Sequence, residues 1–256
     1  MAEVESRTAI VTGAGSGIGR SIALALARAG CDIGILDVDK VGADQTAVLV
    51  RQEGRQAHVQ VGDVAVRQDV EAGVSALAGK LGHIDVLINN AGILRTSPFL
   101  ETSEQEWRKV FAVNLDGAFH VCQAVLPIMV ARKSGVVVNM ASWTGKKGVP
   151  NHAAYSASKF AIVGLTQVLA GEMAEHGIRV NAVCPGIIVE TKMRSEAEAL
   201  NRAQGLPDVA TRVRNVPLGR AGYPDDVAGV VAFLVSNAAS YMTGQAINVT
   251  GGLWMT

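Results

Sequence analysis

The stretch that begins at residue 8 reads Thr8-Ala9-Ile10-Val11-Thr12-Gly13-Ala14-Gly15-Ser16-Gly17-Ile18-Gly19. Its first five residues are β-branched or apolar, which is typical of a buried strand. The glycines that follow interrupt regular structure, and the residues beyond them carry the apolar period of a helix. A strand, a glycine-rich turn and a helix in this order predict the first half of a βαβ unit.

The same alternation of short β-rich runs and longer Ala-rich segments continues to about residue 250. It predicts a single α/β domain over residues 1–256, with a parallel sheet of seven strands covered by helices on both faces. The predicted strands are Thr8–Thr12, Asp32–Leu36, Ala57–Val61, Asp85–Asn89, Gly135–Met140, Arg179–Val183 and Gln245–Val249. The predicted helices are Gly17–Ala29, Val41–Gln52, Arg67–Leu81, Ser103–Ala131, Ala153–His176 and Pro224–Asn237.

Two features depart from this regular pattern. Pro127 lies late in the long fourth helix, where it is expected to kink the helix or fray its end. Residues 186–220 form the one long irregular stretch and are rich in charge. Long loops inside compact domains are often functional, so we expect this stretch to be a substrate lid that holds short helices.

Composition narrows the set of partners. The 23 Lys and Arg residues balance 23 Asp and Glu residues, so the formal net charge is zero and a general attraction for nucleic acid or an anionic membrane is not expected. The first six residues carry two acids and no apolar run, so we expect no secretory signal and a cytoplasmic protein. Cys31, Cys122 and Cys184 lack metal-like spacing, so we interpret them as core residues and predict no metal site.

The glycine-rich turn is a candidate phosphate-binding element. Glycines let the backbone approach a pyrophosphate, whose charge is stabilised by N–H groups at the start of a helix. The spacing is not the usual Gly-x-Gly-x-x-Gly, in which the third glycine would fall on Ile18. A purely structural turn therefore remains the alternative.

Asp37 strengthens the prediction of a dinucleotide site. It follows the second predicted strand, eighteen positions after Gly19, near the offset of roughly twenty residues at which an acid meets the adenosine ribose. A carboxylate there accepts hydrogen bonds from ribose hydroxyls and repels a 2′-phosphate, so NAD is favoured over NADP. The alternative is that Asp37 only begins a solvated turn.

Tyr155 and Lys159 are the candidate reacting pair. They are four residues apart in a helical segment, so both lie on one helical face. A phenol with an ordinary pKa of about 10 is a poor base at neutral pH, and an ammonium one turn away favours the phenolate. Ser142 follows the fifth predicted strand, where parallel sheets bind ligands beyond the carboxyl ends of their strands.

Further motifs occur in order along the chain. They are Asn89-Asn90-Ala91-Gly92 after the fourth strand, Asp63-Val64 after the third strand, Asn114 in the fourth helix and Pro185-Gly186 after the sixth strand. With the Thr12-Gly13 to Gly19 turn, Ser142 and Tyr155-x-x-x-Lys159, these motifs make the chain resemble the short-chain dehydrogenase/reductase family from end to end. The resemblance implies a Rossmann fold and hydride transfer between an alcohol carbon and a nicotinamide cofactor.

The resemblance also implies a role for each matching residue. Tyr155 removes the alcohol proton, Ser142 holds the oxygen, Lys159 lowers the pKa of the tyrosine and contacts the nicotinamide ribose, and Asn114 helps hold a relay water. Structural roles remain open for Asn114 as a bridge between helices, Ser142 in a turn and Tyr155 in packing. The residues that it assigns to the cofactor are Gly13, Ser16, Gly17, Ile18, Gly19, Asp37, Asp63, Val64, Asn90, Ala91, Gly92, Tyr155, Lys159, Pro185, Gly186 and Ile188.

One position departs from the family pattern. The family places a threonine five residues after the proline of Pro185-Gly186, where it bonds the nicotinamide carboxamide. This chain has Glu190 there and Thr191 one residue later. Either the loop bulges by one residue or Thr191 does not make this contact, whereas the backbone N–H of Ile188 does not depend on the side chain.

The predicted substrate is a small secondary alcohol, polyol or sugar-like. The expected pocket walls are residues 94–97, 142–152 and 186–220. Their apolar members are Leu94, Trp143 and Val149, and their polar members are Arg95, Lys146, Asn151, His152, Glu190 and Lys192. A site built to bond hydroxyl groups rejects analogues that lack them. The alternative is that these polar residues only form a solvated turn and cap a helix.

Two other functions are weighed against this one. A reductase of 3-oxoacyl thioesters would normally use NADPH, which Asp37 disfavours. A non-catalytic NAD-binding sensor would be expected to lack some of the tetrad, yet all four residues are present. The resemblance further implies a homotetramer, and the apolar or small residues around most of the 153–174 segment are consistent with a helix buried on several sides.

Overall fold

The computed structural model describes residues 7–203 and 208–256. Residues 1–6, which support the prediction of no secretory signal, and residues 204–207 of the predicted lid lie outside the described residues. The seven strands form one parallel sheet in the order β3-β2-β1-β4-β5-β6-β7. They are β1 (Thr8–Thr12), β2 (Asp32–Asp37), β3 (Ala57–Val61), β4 (Val86–Asn89), β5 (Gly135–Met140), β6 (Ile178–Pro185) and β7 (Ala246–Val249).

Helices cover both faces of this sheet. They are α1 (Gly17–Arg28), α2 (Lys40–Gln52), α3 (Arg67–Leu81), α4 (Glu104–Phe111), α5 (Gly117–Arg132), α6 (Ala153–Met173), α7 (Lys192–Ala203), α8 (Val209–Val213) and α9 (Pro224–Val235). Side chains of α1, α2 and α9 pack in one buried cluster with Ala9 and Val11. Those of α3, α5 and α6 pack with Ile10 in another. Successive strand residues point to opposite faces, so the apolar run of β1 contributes to both layers.

The predicted α/β class and seven-stranded parallel sheet are confirmed. The predicted fourth helix Ser103–Ala131 is wrong as one regular helix, because a π-helical segment, Ala112–Asp116, separates α4 from α5. The irregularity does not lie at Pro127, since α5 continues past it to Arg132. Packing holds this part of the helix in place, with Leu126 and Met129 buried in the core.

The segment Glu104–Arg132 is long and apolar enough to pass a length-and-composition test for a membrane span. Its hydropathy has another explanation, because Val121, Val125 and Met129 are buried in the core layer formed with α3 and α6. A buried helix of a globular domain satisfies the same test. The three cysteines are free and buried, as the sequence predicted.

All strands run in the same direction, so their carboxyl ends meet at one edge of the sheet. β1 ends at Thr12 before the glycine-rich turn, and β2 ends at Asp37. β4 and β5 end at Asn89 and Met140. The chain segments that carry the candidate site residues therefore converge at this edge, where the strand order changes direction between β1 and β4.

Candidate active site

Two neighbouring cavities, of about 430 Å³ and about 420 Å³, form a cleft at this edge. They share wall residues that include Ile18, Asn90 and Thr191. All of the residues predicted to bind the cofactor line one cavity or the other. The first is lined by Gly13, Ser16, Gly17, Ile18, Gly19, Asp37, Asp63, Val64, Asn90, Ala91 and Gly92. The second is lined by Tyr155, Lys159, Pro185, Gly186 and Ile188. We call them the cofactor cavity and the substrate cavity.

The glycine-rich turn needs glycine for close approach. Gly13 has φ of +65°, and a Cβ atom there would lie 2.8 Å from the Ala91 Cα. A Cβ atom at Gly19 would collide with the carbonyl oxygen of Gly13. The turn therefore folds directly back on itself, and α1 begins at Gly17 with its N-terminus at the cofactor cavity.

Asn90 fixes the turn from the end of β4. Its side-chain amide donates to the carbonyl oxygens of Thr12 and Gly13 at 3.0 Å and 2.9 Å. In return, the Thr12 hydroxyl oxygen accepts hydrogen bonds from the N–H groups of Asn90 and Ala91, each at 3.0 Å. This reciprocal set ties the two loops that form the floor of the cofactor cavity into one unit.

Asp37 lines the cofactor cavity at the end of β2. Its carboxylate accepts hydrogen bonds from the N–H groups of Gly15 at 2.7 Å and Asp39 at 2.8 Å. Arg20, just beyond the glycine-rich turn, bonds both the turn and α2, because its Nη2 donates to the carbonyl oxygens of Gly15 and Gly42 and its Nε donates to Thr46. The arginine therefore ties the turn to α2 from outside the cavity, whereas the Asp37 carboxylate lines the cavity.

The adenine-contact motif lies on the same side. Asp63 accepts a hydrogen bond from the N–H of Ala65 at 2.9 Å, which forms a tight turn after β3. The Val64 side chain is buried, and its carbonyl oxygen contacts His120 Nδ1 on α5 at 3.0 Å. These contacts hold the loop after β3 against α5.

Ser142, Tyr155 and Lys159 meet in the substrate cavity. Ser142 follows β5, and its hydroxyl oxygen accepts hydrogen bonds from the N–H and the hydroxyl of Thr144 at 3.2 Å and 3.0 Å. Tyr155 and Lys159 lie one turn apart on α6. The sequence prediction that β5 and α6 bring these three side chains to one place agrees with this geometry.

The pKa of Tyr155 is not lowered as its spacing from Lys159 predicted. Burial raises the pKa of the phenol above its ordinary value. The neighbouring Ser142 hydroxyl and the positive charge of Arg194 act in the opposite direction. Lys159 Nζ donates to the carbonyl oxygen of Met140 at 2.7 Å and lies 5.7 Å from the centre of the Tyr155 ring.

Lys159 is itself strongly affected by its position. Its side chain is 4% exposed, and burial lowers the pKa of the ammonium to about 8. The pKa falls because the buried ammonium loses its water and keeps the Met140 carbonyl oxygen as a partner, which disfavours the charged form. The amine is therefore close to its titration point in the neutral to mildly alkaline range.

Asn114 lies in the π-helical segment and outside both cavities. Its side-chain oxygen accepts from the N–H of Ile93 at 2.8 Å, and its amide donates to the Ile93 carbonyl at 3.0 Å and the Ser158 hydroxyl at 3.1 Å. It therefore connects the loop after β4 with α6. π-helical turns are frequent at functional sites, and the relay role of Asn114 stays a prediction.

The lid loop forms the bulge that the sequence left open. Glu190 adopts a left-handed backbone with φ of +56° and is exposed, outside both cavities. Thr191 next to it lines both cavities and lies against the position of Gly17. In the described part of the chain, the Ile188 N–H makes no hydrogen bond, so it is free to donate.

The expected pocket walls agree only in part with the structure. Leu94, Trp143, Val149, Asn151 and His152 line the substrate cavity. The other named polar residues do not. Arg95 and Lys192 line only the cofactor cavity, Lys146 Nζ donates to the Ala246 carbonyl oxygen, and Glu190 points away. These side chains lie on turns whose direction was not fixed by the sequence pattern.

Four cavity residues lie within the predicted lid but were not singled out by the sequence, namely Met193, Arg194, Arg212 and Asn215, and Leu253 near the carboxyl end lies outside the predicted walls. The spacing of Arg194 and Glu198, four residues apart, was an available signal for an ion pair on a short helix. It does not reveal which face of that helix meets the cavity. Only the packing of α7 and α8 over the sheet edge shows this.

Comparison with known proteins adds the family. A family model described as enoyl-(acyl carrier protein) reductase matches residues 13–254. The chain belongs to the short-chain dehydrogenase/reductase family. It is accordingly an oxidoreductase with a nicotinamide cofactor.

Relatives of this short-chain dehydrogenase/reductase differ in their chemistry. The 3-oxoacyl-(acyl-carrier-protein) reductase of Staphylococcus aureus (strain Mu50) is 38% identical over 98% of this chain and 99% of its own length. The D-threitol dehydrogenase of Mycolicibacterium smegmatis is 38% identical over 97% of this chain and 93% of its own. The family match therefore supports both a polyol dehydrogenase and a 3-oxoacyl reductase.

Solved structures show the same division. An NAD+-bound xylitol dehydrogenase superposes with a TM-score of 0.93 at 35% identity, covering 98% of this chain and 100% of that one. A single-residue variant of actinorhodin polyketide ketoreductase with NADPH gives 0.92 at 39% identity, covering 99% of each chain. The overall fold thus accommodates either cofactor, and the choice depends on individual residues of the cleft.

Proposed function

We propose that this short-chain dehydrogenase/reductase is an NAD-dependent dehydrogenase that interconverts a polyol or sugar-like secondary alcohol and its ketone. The observation that carries the proposal is the Asp37 carboxylate at the adenosine end of the cofactor cavity. It is a hydrogen-bond acceptor for ribose hydroxyls and a repulsive neighbour for a 2′-phosphate. The polyol relatives support the substrate class.

The residues of the cofactor cavity fit a dinucleotide. α1 begins at Gly17, and the Ser16 hydroxyl does not cap it, so the first N–H groups of the helix remain available for a pyrophosphate. Thr191 lies where the two cavities meet and Ile188 lines the substrate cavity, and we assign Thr191 and the Ile188 N–H to the nicotinamide carboxamide. Bound NAD supplies the acceptor for the hydride.

Ser142, Tyr155 and Lys159 then handle the proton. In alcohol oxidation the O–H and C–H bonds of the carbinol would break as the C=O bond forms, the phenolate form of Tyr155 would take the proton, and a bound cofactor would take the hydride. Ser142, beside Tyr155 in the same cavity, would hold the substrate oxygen. A phenol with a raised pKa keeps its proton at neutral pH, so Tyr155 is ready as the acid of ketone reduction, and oxidation gains from alkaline pH.

Initial rates with NAD and NADP test the cofactor choice. We expect wild-type kcat/KM to be higher with NAD, and Asp37→Ser to reduce this preference by about tenfold or more, because the repulsion of the 2′-phosphate is removed. Asp44→Ser, on the exposed face of α2, is the matched control. Equal or better activity of the wild type with NADP would contradict the proposal.

The alternative function is a 3-oxoacyl thioester reductase that uses NADPH, which the 38% identity to the Staphylococcus aureus enzyme supports. A screen of sugar alcohols, vicinal diols and cyclic alcohols with NAD, read by NADH absorbance, separates the two. Activity only on a 3-oxoacyl thioester with NADPH would favour the alternative.

The assembly and location are also proposals. We propose a homotetramer, supported by the exposed apolar side chains Phe119 on α5 and Phe160 and Val168 on α6. Sedimentation that shows only a species of monomer mass would contradict it. We propose a cytoplasmic protein, because the three cysteines are free thiols.

A further inference from the structure

The wall of the substrate cavity carries excess positive charge. Its charged members are Lys159, Arg194 and Arg212, and among residues 7–203 and 208–256 no Asp or Glu lines it. Lys159 is already bonded to the Met140 carbonyl oxygen. The two arginines come from different helices of the lid, α7 and α8. A neutral polyol does not require two cations in this position.

Glu198, one turn after Arg194 on α7, contacts both guanidinium groups from behind the cavity wall. Arg212 Nη2 donates to the Glu198 carboxylate, and Arg194 Nη1 lies 3.8 Å from the same oxygen. The Asp208 carboxylate also interacts with the charge of Arg212, but neither Glu198 nor Asp208 lines the cavity. The charges that these two lid helices present at the cavity surface are therefore those of Arg194 and Arg212.

Both arginines retain donors for a ligand. A guanidinium has five N–H donors in a planar fork. Arg194 Nε donates to the Ile188 carbonyl oxygen, and Arg212 Nε donates to that of Asp208, each at 3.3 Å. Within the described part of the chain, Arg194 Nη2 and Arg212 Nη1 make no hydrogen bond. The side chains are 18% and 26% exposed, so these donors are half-buried beside the cavity.

The two positive charges oppose each other and reach the reacting groups. Burial and the charge of Arg212 lower the pKa of Arg194. Burial lowers the pKa of His152, and the charges of both arginines act in the same direction, while the charge of Arg194 opposes the rise that burial causes in the pKa of Tyr155. An anion bound between the guanidinium groups would relieve this repulsion while remaining in the cavity that contains Ser142 and Tyr155.

We propose that Arg194 and Arg212 bind an oxyanionic group of the substrate, a carboxylate or a phosphate, while its alcohol carbon lies at Ser142 and Tyr155. The inference rests on the proposed function and narrows it to a polyhydroxy acid or a sugar-alcohol phosphate. Guanidinium groups suit either anion, because their forked donors match two oxygens of a carboxylate or a phosphate.

The competing explanation is a structural one, in which Arg194, Glu198 and Arg212 only fasten α7 to α8. The two explanations differ in sign for one substitution. If the three residues only hold α7 against α8, removing the Glu198 charge should weaken the lid in the same way as removing an arginine. An anion site gains from Glu198→Gln, because the carboxylate that competes with the substrate for the guanidinium groups is gone.

The test compares xylitol, xylonate and xylitol 5-phosphate as substrates with NAD. We expect the wild type to prefer at least one anionic substrate over xylitol by about tenfold or more in kcat/KM, since charge-assisted hydrogen bonds are the strong ones. Arg194→Met and Arg212→Met should bring this ratio towards one, and Glu198→Gln should keep or raise it. Arg214→Met, exposed at the end of α8, is the control and should keep the wild-type ratio.

The outcomes separate this inference from the proposed function. Equal or better turnover of xylitol in the wild type overturns the anion site and leaves the polyol dehydrogenase standing. A ratio that persists in both arginine variants also overturns it. If the arginine variants only disturb the lid structure, kcat/KM falls for all three substrates together and their ratio stays unchanged, which again contradicts the inference. The better anionic substrate identifies carboxylate or phosphate.

If none of the three substrates is oxidised, the proposed function fails, and binding decides the inference alone. Calorimetric titration of the folded protein with xylonate and with inorganic phosphate should then give affinities that fall in Arg194→Met and Arg212→Met and not in Arg214→Met. Binding of neither probe, or equal binding by all variants, overturns the anion site.

Discussion

The cofactor wall of the cleft, formed by residues 13–19, 37 and 90–92, is held by close contacts and hydrogen bonds in which backbone atoms take part, whereas the lid wall, formed by residues 188–194 and 212–215, carries a cluster of charged side chains. In the cofactor wall, Gly13 and Gly19 approach each other closely and the Asn90 amide bonds two carbonyl oxygens. In the lid wall, Arg194 and Arg212 meet at Glu198.

The chain is 38% identical both to a D-threitol dehydrogenase and to a 3-oxoacyl reductase, so overall identity does not distinguish their substrates. Close contacts with backbone atoms tolerate few substitutions. Side chains on short lid helices can change without disturbing the sheet. We therefore expect cofactor binding to be lost through close-packed glycines and substrate choice to change through the lid.

The largest effect is expected at Tyr155, which lies in the substrate cavity with Ser142 and Lys159. Tyr155→Phe removes the proton acceptor and should reduce kcat by about 10²- to 10⁴-fold, measured by NADH absorbance with the best alcohol substrate. The exposed Tyr241→Phe is the control. Unchanged turnover would refute the assigned chemistry, and an unaltered biological effect without turnover would favour the NAD-binding sensor.

Lys159 tests the effect of burial inside the substrate cavity. Its pKa is lowered to about 8 in the folded protein from 10.5, so the unfolded chain binds more protons above pH 8, and this residue adds stability as pH rises from 8 to 10.5. Lys159→Met carries no buried charge, so it should avoid a destabilisation on the order of 3 kcal/mol that the wild type has below pH 8. This advantage of the variant in the free energy of unfolding should disappear as pH rises to 10.5.

Urea unfolding of both proteins at pH 7.5 and at several values up to 10.5 measures this difference. A stability gap between wild type and Lys159→Met that stays constant over the range would show that the folded amine titrates like an exposed one. Lys147→Met, whose ammonium lies over the Trp254 ring near the carboxyl end, supplies a lysine control outside the site.

Gly19→Ala tests the close approach in the cofactor wall. The new Cβ atom meets the Gly13 carbonyl oxygen, so we expect a loss of roughly 1–3 kcal/mol in the free energy of unfolding, together with weaker NAD binding. Gly79→Ala in α3 has no atom within 4 Å of the added Cβ and should stabilise by about 0.5–1 kcal/mol. Denaturant unfolding measures the stability of both variants, and NAD titration measures their cofactor affinity. Equal changes in Gly19→Ala and Gly79→Ala would show that the close approach at Gly19 has no special importance.

The smallest effect is expected at Thr191 in the lid wall. Its hydroxyl oxygen accepts a hydrogen bond from the N–H of Arg194 at 3.1 Å, at the start of α7. Thr191→Val should raise the KM for NAD by about two- to tenfold, the value of one neutral hydrogen bond. Thr191→Ser keeps the hydroxyl and should restore the wild-type KM. If both variants raise KM alike, Thr191 acts through packing instead.

Much of the cofactor wall could be predicted from the sequence because its signals are local. The apolar run 8–12, the glycines 13–19 and Asp37 are close in sequence, and their spacing carries their geometry. The lid was harder, since Arg194 and Arg212 belong to helices of 12 and 5 residues whose orientation depends on packing. The π-helical segment at Asn114 has no distinctive spacing, so one long helix was expected instead.

The sequence by itself determined the alternation of strands and helices, the parallel sheet and the family motifs, because apolar periodicity and glycine spacing act over a few residues. Only the tertiary structure decided that Glu190 faces the solvent while Thr191 lines the cleft. It also decided that Lys159 bonds the Met140 carbonyl oxygen and that burial raises the pKa of Tyr155. These properties depend on desolvation and on contacts between residues distant in sequence, which no local pattern records.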